Sequence, residues 1–345
     1  MSGTALMSIG LRAMTASYAA LQTTGHNIAN ASVDGYSRQQ VELATSTGQY
    51  TGAGYFGKGV DVQAVTRAHD AYLTREAANA KAAASRDQAR LDGLRQLETI
   101  FPTGEAGIGY STGQFLNALV DLASHPSDLA TRQTVLARAD ETAGRFAAAA
   151  AQLDSLQAAT SERLTAAVAT VNGLSRSIAE VNQKIAAVSG LGQTPNDLLD
   201  ERERLIARLS EQVQVTTIAA DDGTLSVFIA GGQRLVLGTQ VSELSVVRDP
   251  LDSSRAAVAM REGGFQRILG AAAIGGGAIG GLLEFQDRDL VDARTQLGQL
   301  ALAFATAVNR QQSLGLDMGQ PPGAGAPMFA LGSPLALPHA DNQRD

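Results

Sequence analysis

The chain contains no cysteine and no tryptophan. The lack of thiols removes disulfides, thiolate metal sites and a cysteine nucleophile together. It leaves the compartment open, because a cysteine-free chain suits cytosol and exterior alike. Aromatic residues make up only 4% of the 345 residues, a thin supply of large side chains for one globular core. A basic surplus is missing too: the formal net charge is -7, which argues against a dedicated nucleic-acid binder and reads more plainly as solubility. Long apolar runs are absent. The uncharged stretch over residues 268–283 is crowded with glycine and falls short of the roughly 20 apolar residues that span a bilayer. Only Arg12 is charged among the first 33 residues, and no basic start precedes a solid apolar run, so this segment does not read as a cleaved signal peptide.

What is abundant is alanine, roughly 60 residues by count, which favours helices packed at close range. The length suits roughly two domains. Over residues 4–29, Met7, Met14, Leu21 and Ile28 fall seven apart with Leu11 and Tyr18 between them. Four-three spacing of this kind is a coiled-coil seam. The remaining faces carry almost no charge, which predicts neighbours on several sides. Residues 41–66 alternate in short runs with many glycines and predict extended arms or a hairpin. A second helix is expected over 68–101, ended by Pro102, with Leu73, Ala77, Ala80, Ala84, Leu91, Leu94 and Phe101 as its stripe. A short helix near 113–123 precedes a break at His125-Pro126-Ser127. Phe146, Ala150, Leu153, Leu164, Ala167, Val171, Leu174, Ile178, Val181, Ile185 and Val188 then keep four-three spacing. An unbroken helix over 128–189 would be a rod of about 90 Å.

Thr194-Pro195 reads as an N-cap followed by proline at the first helical position, opening a helix to about residue 210. After it the period changes to short alternating runs, which predicts a small antiparallel β module over 212–262. The glycine-rich residues 270–281 lead to a last helix over 282–312, with Leu290, Ala293, Leu297, Leu300, Phe304 and Ala307 as its seam.

Few residues offer chemistry. Gly275, Gly277 and Gly280 satisfy G-x-G-x-x-G, but without a βαβ unit or an acid about 20 residues on, so a flexible or closely packed backbone is the better reading. His26, His69, His125 and His339 lack metal-ligand spacing. Asp200, Glu201 and Glu203 could do acid/base work, yet their interleaving with Arg202, Arg204 and Arg208 reads as a solvated, salt-bridged helix face. Asp221-Asp222-Gly223 lacks the spacing of a calcium loop and reads as a hairpin turn. His26, Asp34 and Ser37 could be imagined as a triad, but a helix-end turn explains them. Asn27 and Asn30, three apart at a helix end, can bond backbone groups left unpaired there, and Gly35 supplies a permissive turn before Tyr36.

The stretch Asn27-Ile28-Ala29-Asn30 with Gly35-Tyr36-Ser37-Arg38 resembles the amino-terminal signature of bacterial flagellar axial proteins, the rod, hook and hook-associated group. Tyr36-Ser37-Arg38-Gln39 points within that group to the first hook-associated protein family. Residues 121–128 with Arg132-Gln133, then Asn196-Asp197-Leu198-Leu199-Asp200, and residues 231–238, 280–285 and 297–301 extend the resemblance to about Phe329. It implies a structural adaptor at the hook–filament junction, extracellular after export through the flagellar type III apparatus, and assembled as a ring of subunits. The implied partners are further copies of the chain, the hook protein, the next junction protein and an export chaperone. No nucleic acid, membrane span, cofactor, metal or catalytic residue is implied.

The fold class expected is mainly α, a long helical bundle or coiled-coil rod with a small antiparallel β module. Its expected parts are the axial helix and signature turn (1–36), a helical bundle with an extended arm (37–211), the β module (212–262), a glycine-rich segment with a return helix (263–314), and a Gly/Pro-rich stretch (315–345). The resemblance implies relatives that continue to a carboxy-terminal helix, so the chain is expected to be the front part of a longer protein. Met7, Leu11, Met14, Tyr18, Leu21 and Ile28 are then the assembly seam. Another axial protein, hook or distal rod, is an alternative disfavoured by the 196–200 helix and the long coiled-coil segment. A secreted hydrolase using carboxylates near Asp200 is the alternative of a different class.

Overall fold

The computed structural model describes residues 3–52, 54–190, 194–229, 231–262, 265–317 and 319–332. His339 and the end of the 315–345 stretch lie outside them. Helix α1 (Gly3–Asn30) is followed by strands β1 (Gln39–Thr45), β2 (Gln49–Thr51), β3 (Gly54–Phe56) and β4 (Val60–Arg67). β1 pairs antiparallel with β4 from Gln39↔Arg67 to Thr45↔Val60, and β2 with β3 forms the tip. Helices α2 (Ala71–Ile100), α3 (Ile108–Ser124), α4 (Leu129–Ser189) and α5 (Asn196–Gln212) come next. Strands β5 (Val215–Ala219), β6 (Leu225–Ile229), β7 (Arg234–Leu237) and β8 (Gln240–Val241) form one sheet in chain order. In a second sheet, β10 (Ala256–Glu262) lies between β9 (Leu244–Arg248) and β11 (Phe265–Leu269). Helices α6 (Ala271–Ile274), α7 (Gly277–Glu284) and α8 (Leu290–Ser313) complete the order. The architecture is mainly α with small antiparallel sheets.

Helix α4 is the spine. Its 61 residues extend about 90 Å at about 1.5 Å per residue. Asp128 starts it by accepting the Thr131 N–H at 2.9 Å. Three apolar clusters sit along its length. Phe115, Ala118, Val135 and Ala139 gather near its start with Phe304 and Phe329. Ile100, Leu153, Leu156, Phe285, Leu290 and Leu297 occupy the middle. Leu164 to Ile185 of α4 meet α5, α7 and both β sheets in the largest cluster. A chain poor in aromatics thus divides its burial among stations along a rod.

Several local expectations need correction. The stripe expected on α2 is largely exposed: Leu73, Leu91 and Phe101 face out, while Ala82, Ala89, Gly93 and Ile100 are buried. The reason is close approach. A Cβ on Gly93 would fall 2.8 Å from the Phe285 ring, and one on Gly281 would fall 2.2 Å from the Arg86 carbonyl oxygen. Small residues mark this contact, so a stripe chosen by side-chain size misses it. Gly277, at φ +71, packs so tightly that its Cβ would fall 2.2 Å from the Gln212 carbonyl carbon. At Gly277 and Gly281 the glycine run thus serves close packing, one of the two readings its sequence left open. The last helix runs unbroken through the expected span but holds a π-helical turn at Phe285–Asp289 between α7 and α8, and Leu300 and Ala307 of its expected seam are exposed. Ala149 of α4 is buried in place of Ala150. Pro195 occupies the cap position of α5, one residue before the helix begins.

Helices join their neighbours through side-chain amides. On α4, Asn172 donates to the Leu244 carbonyl at 2.8 Å and accepts the Leu244 N–H at 2.9 Å. Asn182 donates to the carbonyls of Leu225 and Gly238 and accepts the Leu225 N–H. In the π-turn Gln286 accepts the Ala256 N–H, donates to its carbonyl, and also accepts from Gln157. Mid-helix backbone groups are already paired, so an amide side chain is what a helix can offer to a strand edge.

Candidate assembly interface and its supporting joint

Helix α1 carries two stripes on opposite faces. Met7, Leu11, Met14, Tyr18, Leu21 and Ile28 are all exposed, between 66% and 79%. Displaced by two residues, or about 200° at about 100° per residue, lie Ala5, Ile9, Arg12, Ala16, Ala19, Thr23 and His26, all less exposed. This second stripe rests on β1 and β4. Ala16 is 4% exposed, and a Cβ on Gly59 would come within 3.3 Å of the Ile9 side chain. Arg12, the lone formal charge of this segment, donates to Asp61 of β4 and to the Ser46 hydroxyl. Among the described residues, then, α1 has a neighbour on one side, and its apolar seam faces out.

At the end of α1 the signature residues fold back on themselves. The Asn27 amide donates to the Gln39 carbonyl, and its oxygen accepts the Gln39 N–H, both at 2.8 Å. The Tyr36 hydroxyl donates to the same oxygen at 2.7 Å. Asn27 therefore binds the first residue of β1 rather than the helix end that its spacing implies. Asn30 does serve the helix end, donating to the His26 carbonyl at 3.0 Å. Gly35 has φ +73, a left-handed turn that a side chain resists. Ile28, Ala29 and Arg38 are exposed, and the Arg38 carbonyl accepts the Ala68 N–H.

The second signature segment, 196–200, meets the first. Asn196 donates to the Val65 carbonyl at 2.7 Å. Asp197 accepts from the Gln39 side chain at 3.1 Å and lies 3.5 Å from His26. Asp200, 4% exposed, accepts the Ser37 N–H at 3.0 Å and Arg67 at 2.8 Å. Leu198 and Leu199 pack on the large core cluster. Arg67, at the end of β4, also reaches Glu203, whose other oxygen lies 3.3 Å from His69. Sequence reasoning missed Arg67, because a single arginine ending a strand carries no periodic or motif signal.

The carboxylate helix is thus not the solvated face its pattern implies. Burial opposes the charge of Arg67, but hydrogen bonds to Glu203 and Asp200 outweigh it and raise its pKa. Burial lowers that of Arg202, aided by the charge of Arg67. Arg202 donates to Asn182 and to the Gly223 carbonyl. Burial also raises the Tyr36 pKa, followed by the negative charges of Asp197 and Asp200. Asp200 and Glu203 are committed to one guanidinium, an arrangement that fixes geometry. His26 contacts Asn30, Tyr36 and Asp197; no hydrogen bond among the described residues joins it to Asp34 or Ser37.

Known proteins share this chain's pattern. Residues 94–329 match the helical domain of the flagellar hook-associated protein FlgK. Flagellar hook-associated protein 1 of Escherichia coli (strain K12) is 31% identical over 343 residues, covering 99% of this chain and 62% of that protein. Its counterpart in Bacillus subtilis (strain 168) is 30% identical over 262 residues, 69% of this chain and 52% of that protein. The flagellar hook junction protein FlgK from Burkholderia pseudomallei superposes with a TM-score of 0.67 at 30% identity, covering 73% of this chain and 46% of that one. The chain spans about three fifths of the length of the Escherichia coli relative. With its helical domain matched and its similarity spread over nearly the whole sequence, the chain belongs to the flagellar hook-associated protein FlgK family.

Proposed function

We propose that this chain is a non-enzymatic structural adaptor of the bacterial flagellum at the hook–filament junction. It is exported by the flagellar type III apparatus, acts outside the cell, and self-assembles through the seam of α1. Its partners are further copies of the chain in a ring, the hook protein, the next junction protein and an export chaperone. The observation that carries this reading is the pair of opposed faces on α1. One is seated on the β1–β4 hairpin, and the other presents Met7, Leu11, Met14, Tyr18, Leu21 and Ile28 with no partner among the described residues. Six large apolar side chains in one row form a patch of the kind that marks an interaction surface.

The joint supports the same reading. Asn27, Asn30, Gly35, Tyr36 and Ser37 meet Asn196, Asp197 and Asp200 where α1 ends, and so fix the direction in which the seam points. Leu11→Asn with Leu21→Asn is expected to abolish junction assembly while leaving export and the circular-dichroism spectrum unchanged, since both side chains are exposed in the single chain. Normal assembly of that variant, with export and folding intact, overturns the reading.

A further inference from the structure

We propose that Met7 and Met14 are a paired oxidation site through which a hydroperoxide blocks self-association; this rests on the reading of the α1 seam as the association face. Of the methionines in the described residues, Met7 is 79% and Met14 72% exposed, whereas Met260 is 2% exposed and Met328 is packed against the Phe115 cluster. Without cysteine in the chain, no thiol competes for the oxidant, and exposed thioethers become the most readily oxidised sulfur. The two lie one heptad apart, about 10.5 Å along the helix at about 1.5 Å per residue. Both therefore stand on the same face as Leu11, Tyr18, Leu21 and Ile28.

The step uses hydrogen peroxide. A lone pair on the thioether sulfur attacks one peroxide oxygen, an S–O bond forms, the O–O bond breaks, and the departing hydroxide takes a proton and leaves as water. Sulfur loses two electrons and the peroxide gains them. The product is a sulfoxide, whose polar S–O group loses its water if the seam closes; Leu11, Leu21 and Ile28 offer it no donor, and Tyr18 has a single hydroxyl for two sulfoxides. Closing the seam also shields both sulfurs, so the modification acts on the unassembled subunit.

The test treats the full chain with dilute hydrogen peroxide and follows each methionine by peptide mass spectrometry and self-association by sedimentation velocity. Met7 and Met14 are expected to gain oxygen well before Met260 and Met328, and association is expected to weaken about tenfold or more, the size expected for one buried unpaired polar group. The Met7→Leu/Met14→Leu variant, whatever its own starting affinity, is expected to lose none of it on the same exposure. Full association of wild type carrying both sulfoxides overturns the proposal, as does equal loss in the variant or earlier oxidation of Met260. The untreated Leu11→Asn/Leu21→Asn chain separates the two readings. If it associates normally, the seam itself is wrong; if it fails to associate while oxidised wild type succeeds, only the oxidation proposal falls.

Discussion

Asn27 holds both backbone groups of Gln39, donating to its carbonyl and accepting its N–H at 2.8 Å each. This one side chain joins the last turn of α1 to the first residue of β1, and the Tyr36 hydroxyl closes the intervening turn onto the same oxygen. Asn27→Ala leaves a half-buried N–H and carbonyl without partners, which is expected to cost about 1–3 kcal/mol. Asn27→Asp keeps the acceptor but sets a carboxylate oxygen against the Gln39 carbonyl, so it is not expected to rescue. Urea unfolding measures the loss, and amide hydrogen exchange at Gln39 locates it. A Gln39 amide that exchanges no faster in Asn27→Ala would show that the clip does not hold β1.

Arg67 stands between Asp200 and Glu203 with little access to water. Removing the guanidinium strands a buried carboxylate, so Arg67→Met is expected to destabilise by about 3–5 kcal/mol in chemical denaturation. Adding Asp200→Asn is expected to recover part of that loss, since the amide is uncharged and can still accept the Ser37 N–H. A double variant no more stable than Arg67→Met would mean that Asp200 is not the group left stranded.

The helices were legible because their signals are local. Four-three spacing over residues 146–188 marks α4, and Pro102 marks the end of α2. Short-range chemistry was also legible where a turn demanded it, as at Gly35. The meeting of the two signature segments was not, since Ser37 and Asp200 are separated by 163 residues and neither pattern names the other. The α2–α7 contact was hidden for a different reason: it is made by what is missing at Gly93 and Gly281, and hydrophobic periodicity weights large side chains. The π-turn at Phe285–Asp289 was equally silent, since Gln286 is polar yet wholly buried. Its burial is explained by the strand edge that it serves rather than by its neighbours in sequence.

Glycines of opposite context should respond oppositely. Gly277→Ala combines a positive φ with a Cβ driven into the Gln212–Val213 backbone, and a loss of about 3 kcal/mol or more is expected. Gly173→Ala lies on α4 with open space around the added carbon, and a gain of about 0.5–1 kcal/mol is expected from helix propensity and the stiffer unfolded chain. Equilibrium denaturation of the two variants decides. A Gly277→Ala chain as stable as wild type would contradict the close packing of α7 on the end of α5.

The joint should also loosen in alkali, and Tyr36 sets the direction. Burial, then the charges of Asp197 and Asp200, raises its pKa in the folded chain, while the unfolded chain titrates near the ordinary value of about 10. A raised folded-state pKa means that folding favours the protonated phenol, so the stabilising contribution is complete below about pH 10 and is lost as pH rises through the higher folded value. Deprotonation also removes the donor that Tyr36 offers to Asn27. Difference absorbance of wild type against Tyr36→Phe is expected to reveal one phenol that ionises later than a free tyrosine. Over the same range the stability of wild type should fall toward that of Tyr36→Phe, which has no phenol to ionise at this position. A stability difference between the two chains that stays constant from pH 8 to beyond the last phenol titration would show that Tyr36 ionises freely, and that its hydroxyl is not held in the turn.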